Sequence, residues 1–210
     1  MKIVTPSTEI LTPSNIEEGI EMLKRIELAA RTCYKSEGAI APGTYVRICD
    51  MLIGKQHEAM IEHGGLISVR FICDRGVSHE LVRHRVASFG QESTRYCNYS
   101  KDKFDGEIAV INPGFEEKTL EYNDWLLAME QASTSYFNLL KCGASPQIAR
   151  SVLPTCLKTE IVLSANPREW RHIFKLRCAK TAHPQMRELM IPLHQKMAEI
   201  VPILFDDITY

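Results

Sequence analysis

The longest periodic segment constrains the fold most. Tyr122, Trp125, Leu126, Met129, Ala132, Tyr136 and Leu140 recur at three- and four-residue spacings, which puts them on one apolar stripe of a long α-helix. A stripe of that kind must be covered by another layer. Short apolar runs supply the rest of the pattern: Leu66–Ile72 after Gly64-Gly65, Ile108–Ile111 before Asn112-Pro113-Gly114, and Glu160–Leu163. Their length and glycine or proline boundaries read as strands, without strict alternation.

Other helices follow from local signals. Ser14-Asn15-Ile16-Glu17 fits a capping box ahead of Ile16, Ile20, Leu23 and Ile26. A second helix starts near Thr44 and buries Tyr45, Ile48, Cys49, Leu52 and Ile53. Asp74 and Gly76 introduce a short helix that ends near Val86, and residues 87–106 read as loop. Ser145-Pro146 starts a further turn, with proline at its favoured first position. Pro167 opens a helix through Trp170, Phe174 and Leu176, and a last one carries Met186, Leu189, Leu193, Met197 and Val201, bent at Pro192. No repeat, low-complexity tract or linker interrupts the sequence, so residues 1–210 read as one mixed α+β domain.

Composition narrows the function classes. Lys and Arg total 25 against 26 Asp and Glu, and this balance argues against a surface dedicated to coating nucleic acid. No apolar run approaches the roughly 18 residues of a membrane span, and the opening MKIVTPSTEI lacks a signal-peptide core. The seven cysteines are widely spaced, with no CxxC or CxH pair. They read as free thiols, which implies a reducing, cytoplasmic setting.

The densest polar cluster is Arg83-His84-Arg85 with Ser88, Gln91, Glu92, Ser93 and Arg95 behind it. On a helix such side chains fan out about 100° apart, and guanidinium forks suit a large polyanion. The commoner reading of a basic cluster is a solvated helix end. His57-Glu58 invites a zinc reading, but the next histidine is His63, six residues on, whereas the zincin site needs histidines four apart. No metal site is expected. Cys156 resembles a nucleophile only superficially, since free cysteines are more often small buried hydrophobes.

Arg83-His84-Arg85, seven residues, then Ser93 with Arg95-Tyr96 resembles the RHRx7S signature of flavin-dependent thymidylate synthases. His57-Glu58 with Glu62-His63 is similar to the family's HExxxEH segment, Thr32–Ser36 to an early segment, and Arg150-Ser151-Val152-Leu153-Pro154 to its ARxxLP stretch. The resemblance implies a central, mostly antiparallel sheet packed by long helices without a Rossmann motif; the chain has no GxGxxG. It implies methylation of dUMP to dTMP with methylenetetrahydrofolate as carbon donor and NADPH-reduced FAD as hydride source, in a homotetramer with sites at subunit interfaces. By the same resemblance, Ala59, Arg83, His84, Arg85, Gln91, Asn166, Arg168 and His172 contact the flavin. Glu80, Arg83, Gln91, Glu92, Ser93, Thr94, Arg95, Arg150 and Arg177 contact dUMP, with Arg177 stabilising negative charge on the uracil in place of a cysteine nucleophile. Gly90-Gln91 stands where many members have Asn-Glu, so Gln91 is expected to bind but not to act as a base. The rival classes are a single-strand nucleic-acid module using Arg83, Arg85, Arg95 and Arg168, and a flavoprotein acting on another nucleotide.

Overall fold

The computed structural model describes residues 1–210, apart from the side chain of Lys103. In chain order the elements are β1 (Lys2–Ile3), β2 (Ser7–Thr12), α1 (Ile16–Tyr34), α2 (Thr44–Gly54), β3 (Ile67–Asp74), α3 (Arg75–Leu81), β4 (Ala87–Gln91), β5 (Ala109–Val110), α4 (Leu120–Lys141), α5 (Pro146–Ala149), β6 (Lys158–Ala165), α6 (Pro167–Arg177), α7 (Pro184–Ile200) and α8 (Pro202–Phe205). Strands β2, β3, β6 and β4 form a four-stranded antiparallel sheet in that order. The α+β expectation holds.

Several elements differ from the sequence reading. The α1 cap sits one residue later than the Ser14 frame: Asn15 Oδ1 accepts from the Glu18 N–H at 3.0 Å, and the Glu18 carboxylate accepts from the Ser14 N–H at 2.7 Å. Helix α3 stops at Leu81, so Arg83-His84-Arg85 lies in a turn rather than on a helix. Strand β4 occupies part of what read as loop; Ala-Ser-Phe-Gly-Gln carries too little apolar signal to announce a strand. Strands β3 and β6 alternate in burial, against the reading of them as non-alternating: Ile67, Val69, Phe71 and Cys73 are fully buried, as are Ile161 and Leu163, and Ser68 and Arg70 supply the polar positions of β3.

The chain groups into two compact units. The first comprises Met1–Ser7, Phe71–Leu81 and Gly90–Ile161. Its core gathers Tyr99, Ile108, Val110, Tyr136, Ala149 and Leu157, with Trp125 and Met129 half-buried against it. Here β1 pairs in parallel with β5. The α4 stripe is therefore buried or half-buried along its whole length, while Leu120 and Leu127, off the stripe, stay exposed.

The second unit comprises Thr8–Arg70, Val82–Phe89 and Val162–Tyr210. Its core is mainly aliphatic, with Trp170, Phe174 and Phe205 as its fully buried aromatic side chains. Trp170 donates its indole N–H to the Ile67 carbonyl at 2.9 Å, and Phe174 packs edge-on against Phe205. Each such burial is worth about 1.5–3 kcal/mol. Arg171 is buried here, bonding the Leu204 carbonyl, Glu58 and both oxygens of Asp207. These pairings are what make a buried guanidinium tolerable. Gly64 lies so close to Pro167 that a Cβ would stand 2.9 Å from its ring, and Gly65 has φ of +100°. Glycine at both positions permits the entry into β3.

Candidate functional site

Within the first unit, the segment after β4 is held from below by side-chain hydrogen bonds. Gln91 donates from its amide nitrogen to Ser78 Oγ at 2.8 Å and to Thr159 Oγ1 at 3.2 Å. Both amide hydrogens are thereby committed, and the carbonyl oxygen is the group Gln91 offers to a ligand. Glu92 accepts from the Tyr99 hydroxyl at 2.8 Å and from Lys158 Nζ at 3.3 Å, while its own N–H bonds the Glu160 carbonyl. Its carboxylate is thus engaged by protein groups rather than presented outward. Ser93 starts a turn whose carbonyl accepts from the N–H groups of Tyr96 and Cys97.

Two cations flank that turn. Thr94 is buried and accepts from Arg150 Nη1 at 3.2 Å, which ties the short helix at Arg150–Val152 to the segment. Arg95 is exposed and lies 5.5 Å over the Tyr96 ring. Glu80, on the last turn of α3, is half-buried. Arg75, at the start of the same helix, carries a buried Nη1 atom with no hydrogen-bond partner among the described residues. Nothing in the spacing of the sequence had singled out Arg75. Cys156 sits half-buried with its Sγ 3.1 Å from Met129 Sδ, and burial pushes its thiol pKa up. A thiol so placed is a poor nucleophile.

Within the second unit, the Arg83–Arg85 turn exposes both arginines and buries His84 between them. Arg177, at the C-terminal end of α6, donates from Nε to His84 Nε2 at 3.0 Å. The other ring nitrogen, Nδ1, lies 3.2 Å from Glu169 Oε1, and His172 stands edge-on with ring centroids 5.8 Å apart. Burial first, and then the positive charges of Arg177 and His172, lower the His84 pKa to about 4. The imidazole is neutral near pH 7.

The start of α6 explains how these groups are aimed. Asn166 caps the helix, its Oδ1 accepting from the Glu169 N–H at 2.9 Å, with Pro167 at the first position. Asn166, Arg168 and His172 line one cleft of about 360 Å³ with Val86, Lys175 and the carboxylates Glu58, Glu62 and Glu169; Arg168 is there paired with Glu62 at 2.6 Å. Ala59 and His57 instead line a larger, mainly apolar cavity of about 650 Å³ with Tyr34, Ile48, Met51 and Met60. His84, Glu169 and His172 could each turn one ligand atom toward a metal ion, all within 4.8 Å. The lone pair of His84 Nε2, however, already receives the Arg177 N–H, and the guanidinium charge opposes a cation there.

The sequence-predicted residues thus separate. Glu80, Gln91, Glu92, Ser93, Thr94, Arg95 and Arg150 belong to the first unit, and Ala59, Arg83, His84, Arg85, Asn166, Arg168, His172 and Arg177 to the second. Glu169 was missed, because an acid in the first turn of a capped helix looks like ordinary dipole complementation.

Comparisons with known proteins bear on the whole chain. A family model described as thymidylate synthase complementing protein matches residues 18–203. A flavin-dependent thymidylate synthase from Geobacter sulfurreducens is 29% identical over 188 residues, covering 87% of this chain and 80% of that protein. Its counterpart from Mycobacterium marinum is 30% identical over 226 residues, covering 95% and 86%. Among solved structures, a UMP/dUMP methylase, PolB from Streptomyces cacaoi bound with 5-Br dUMP, superimposes with a TM-score of 0.76 at 22% identity over 98% of this chain and 96% of that one. At that identity the likeness is one of fold.

Proposed function

Because the chain belongs to the thymidylate synthase complementing protein family, we propose that it is a flavin-dependent thymidylate synthase, methylating dUMP to dTMP. The family match over residues 18–203 is the observation that carries this reading, and it supports treating residues 1–210 as one synthase-like domain. Methylenetetrahydrofolate is the carbon donor and NADPH the reductant. The chain acts as a homotetramer in the cytoplasm; the exposed Leu120 and Leu127 of α4 are compatible with burial against further copies. Among the described residues no helix is long and apolar enough to cross a membrane.

The residue roles are those the family resemblance implies, and the local geometry supports them. Ser93, Thr94, Arg95 and Arg150 hold the dUMP phosphate, with Arg150 steered by its bond to Thr94. Gln91 accepts from the nucleotide through its carbonyl oxygen, and Glu80 approaches the same ligand. Glu92 acts mainly as a brace, because Tyr99 and Lys158 already engage its carboxylate.

Arg83 and Arg85, both exposed, suit the diphosphate of FAD, while the cleft at Asn166, Arg168 and His172, which also carries Glu58, Glu62 and Glu169, suits a neutral, hydrogen-bonding part of it. Ala59 lines the apolar cavity, where a flat ring could bury. The residues present therefore fit FAD. When bound and reduced, that group supplies the hydride. Arg177 places its charge at the uracil edge, stabilising negative charge that develops there and raising the nucleophilicity of C5.

Titrating the purified protein with FAD tests this reading against a nucleic-acid module. Bound flavin with its visible absorbance is the expected result, together with dTMP formed from dUMP, methylenetetrahydrofolate and NADPH. A colourless protein that takes up no flavin but retains single-stranded oligonucleotide would overturn it.

A further inference from the structure

We propose that Glu169 is a positioning residue for Arg177, acting through His84, and that its carboxylate locks His84 in a single tautomer. The inference deepens the role given to Arg177 above and rests on that reading.

Each donor and acceptor in the chain of contacts is forced. A guanidinium has no acceptor, so Arg177 Nε must donate across the 3.0 Å to His84 Nε2. His84 Nε2 must then carry a lone pair. A neutral imidazole with a lone pair on Nε2 bears its hydrogen on Nδ1, and Nδ1 faces Glu169 Oε1 at 3.2 Å. An ionised carboxylate only accepts, so it admits this tautomer and rejects the other. The opposite tautomer would set the His84 Nε2–H against the Arg177 Nε–H, two donors nose to nose.

The surroundings keep the lock closed. His84 is buried, with a side chain only 3% exposed, and the Glu169 side chain is 13% exposed, so water cannot easily replace either bond. The charged and titratable groups facing the imidazole are Glu169, His172 and Arg177, all from α6. Both of its hydrogen-bond partners, Glu169 and Arg177, lie on that same rigid helix, whose first turn is pinned by the Asn166 cap. The imidazole therefore bridges two turns of α6 and fixes the Nε end of the guanidinium. That orientation is what a group meant to meet a uracil edge requires. A glutamine at 169 keeps the shape but can turn an amide nitrogen toward Nδ1, so the carboxylate's bias is lost and only the Arg177 donor still opposes the other tautomer.

The test uses the FAD-loaded protein and two readouts. In ¹⁵N solid-state spectra of histidine-labelled protein, with His84 assigned through His84→Asn, the wild type at neutral pH is expected to show Nδ1 protonated and Nε2 bare. In Glu169→Gln a fraction of the Nε2-protonated form appears beside it, with the Arg177 contact correspondingly broken. In kinetics, Glu169→Gln keeps its flavin content and thermal midpoint, and its kcat falls roughly tenfold to a hundredfold with little change in KM for dUMP. Glu169→Gln combined with Arg177→Ala is no slower than Arg177→Ala alone.

A wild-type His84 protonated on Nε2, or a Glu169→Gln enzyme with normal kcat, overturns the inference. So does a double variant slower than Arg177→Ala by the full Glu169→Gln factor. If Arg177→Ala itself turns over normally, the role given to Arg177 fails instead, and the tautomer spectra still decide the link from Glu169 to His84.

Discussion

The two units arrange their candidate ligand-binding groups in opposite ways. In the first unit the segment 91–95 is braced by neutral and paired groups: Gln91 by Ser78 and Thr159, Glu92 by Tyr99 and Lys158, Thr94 by Arg150. No single bond decides its shape. In the second unit one thread of side-chain hydrogen bonds, Glu169 to His84 to Arg177, helps to aim a cation and is flanked by exposed arginines. A braced loop tolerates loss of one contact, whereas a thread does not. That difference predicts which substitutions hurt.

The largest effect belongs to the thread's end. Arg177→Ala is expected to keep its flavin absorbance and to lose roughly a hundredfold to a thousandfold in dTMP formation, the scale for removing one aimed donor from developing charge. Near-normal turnover would break the contrast at its strongest point.

The next concerns His84 and pH. Its folded pKa of about 4 lies below the ordinary value of 6.5, so as pH falls the unfolded chain takes up the proton first. The stabilisation of the neutral form is complete above pH 6.5 and is lost as pH falls toward 4. Over that window the group contributes roughly 3 kcal/mol of pH-dependent stability. Urea unfolding of wild type and His84→Asn across this range checks it: the variant's stability should be the flatter of the two.

Smaller effects are expected in the braced loop. Gln91→Glu loses the bonds donated to Ser78 and Thr159 and adds a negative charge near an anionic ligand. The KM for dUMP should rise about tenfold, equivalent to about 1.4 kcal/mol, with kcat little changed. Tyr99→Phe removes one of two groups on the Glu92 carboxylate and should lower unfolding free energy by about 1–2 kcal/mol, with turnover within a few-fold of wild type. A collapse of activity in Tyr99→Phe would mean that the loop, too, hangs on one bond.

Much of this frame was legible in the sequence, for identifiable reasons. Helices α4, α6 and α7 carry apolar residues at helical period, and Asn166-Pro167 marks the start of α6 as plainly as a cap can. Strand β4 was hidden because Ser88 and Gly90 leave it almost no apolar pattern, and β2 because its residues stay exposed or half-buried. The basic triplet was read as helical, yet α3 ends at Leu81, and the turn that follows buries the histidine and exposes the arginines. RHRx7S announced the chemistry but not its support. Glu169, Lys158 and Tyr99 reach their partners over 85, 66 and 7 positions of sequence. Contacts set by the folded backbone leave no local spacing signal to read.

The central claim is that this chain activates dUMP without a cysteine nucleophile. Release of hydrogen from C5 of isotopically labelled dUMP tests it most directly, measured with FAD, NADPH and methylenetetrahydrofolate for wild type, Cys156→Ser and Arg177→Ala. The account predicts matched isotope release and dTMP formation in wild type and Cys156→Ser, with both lost in Arg177→Ala. Release abolished in Cys156→Ser but retained in Arg177→Ala would contradict it.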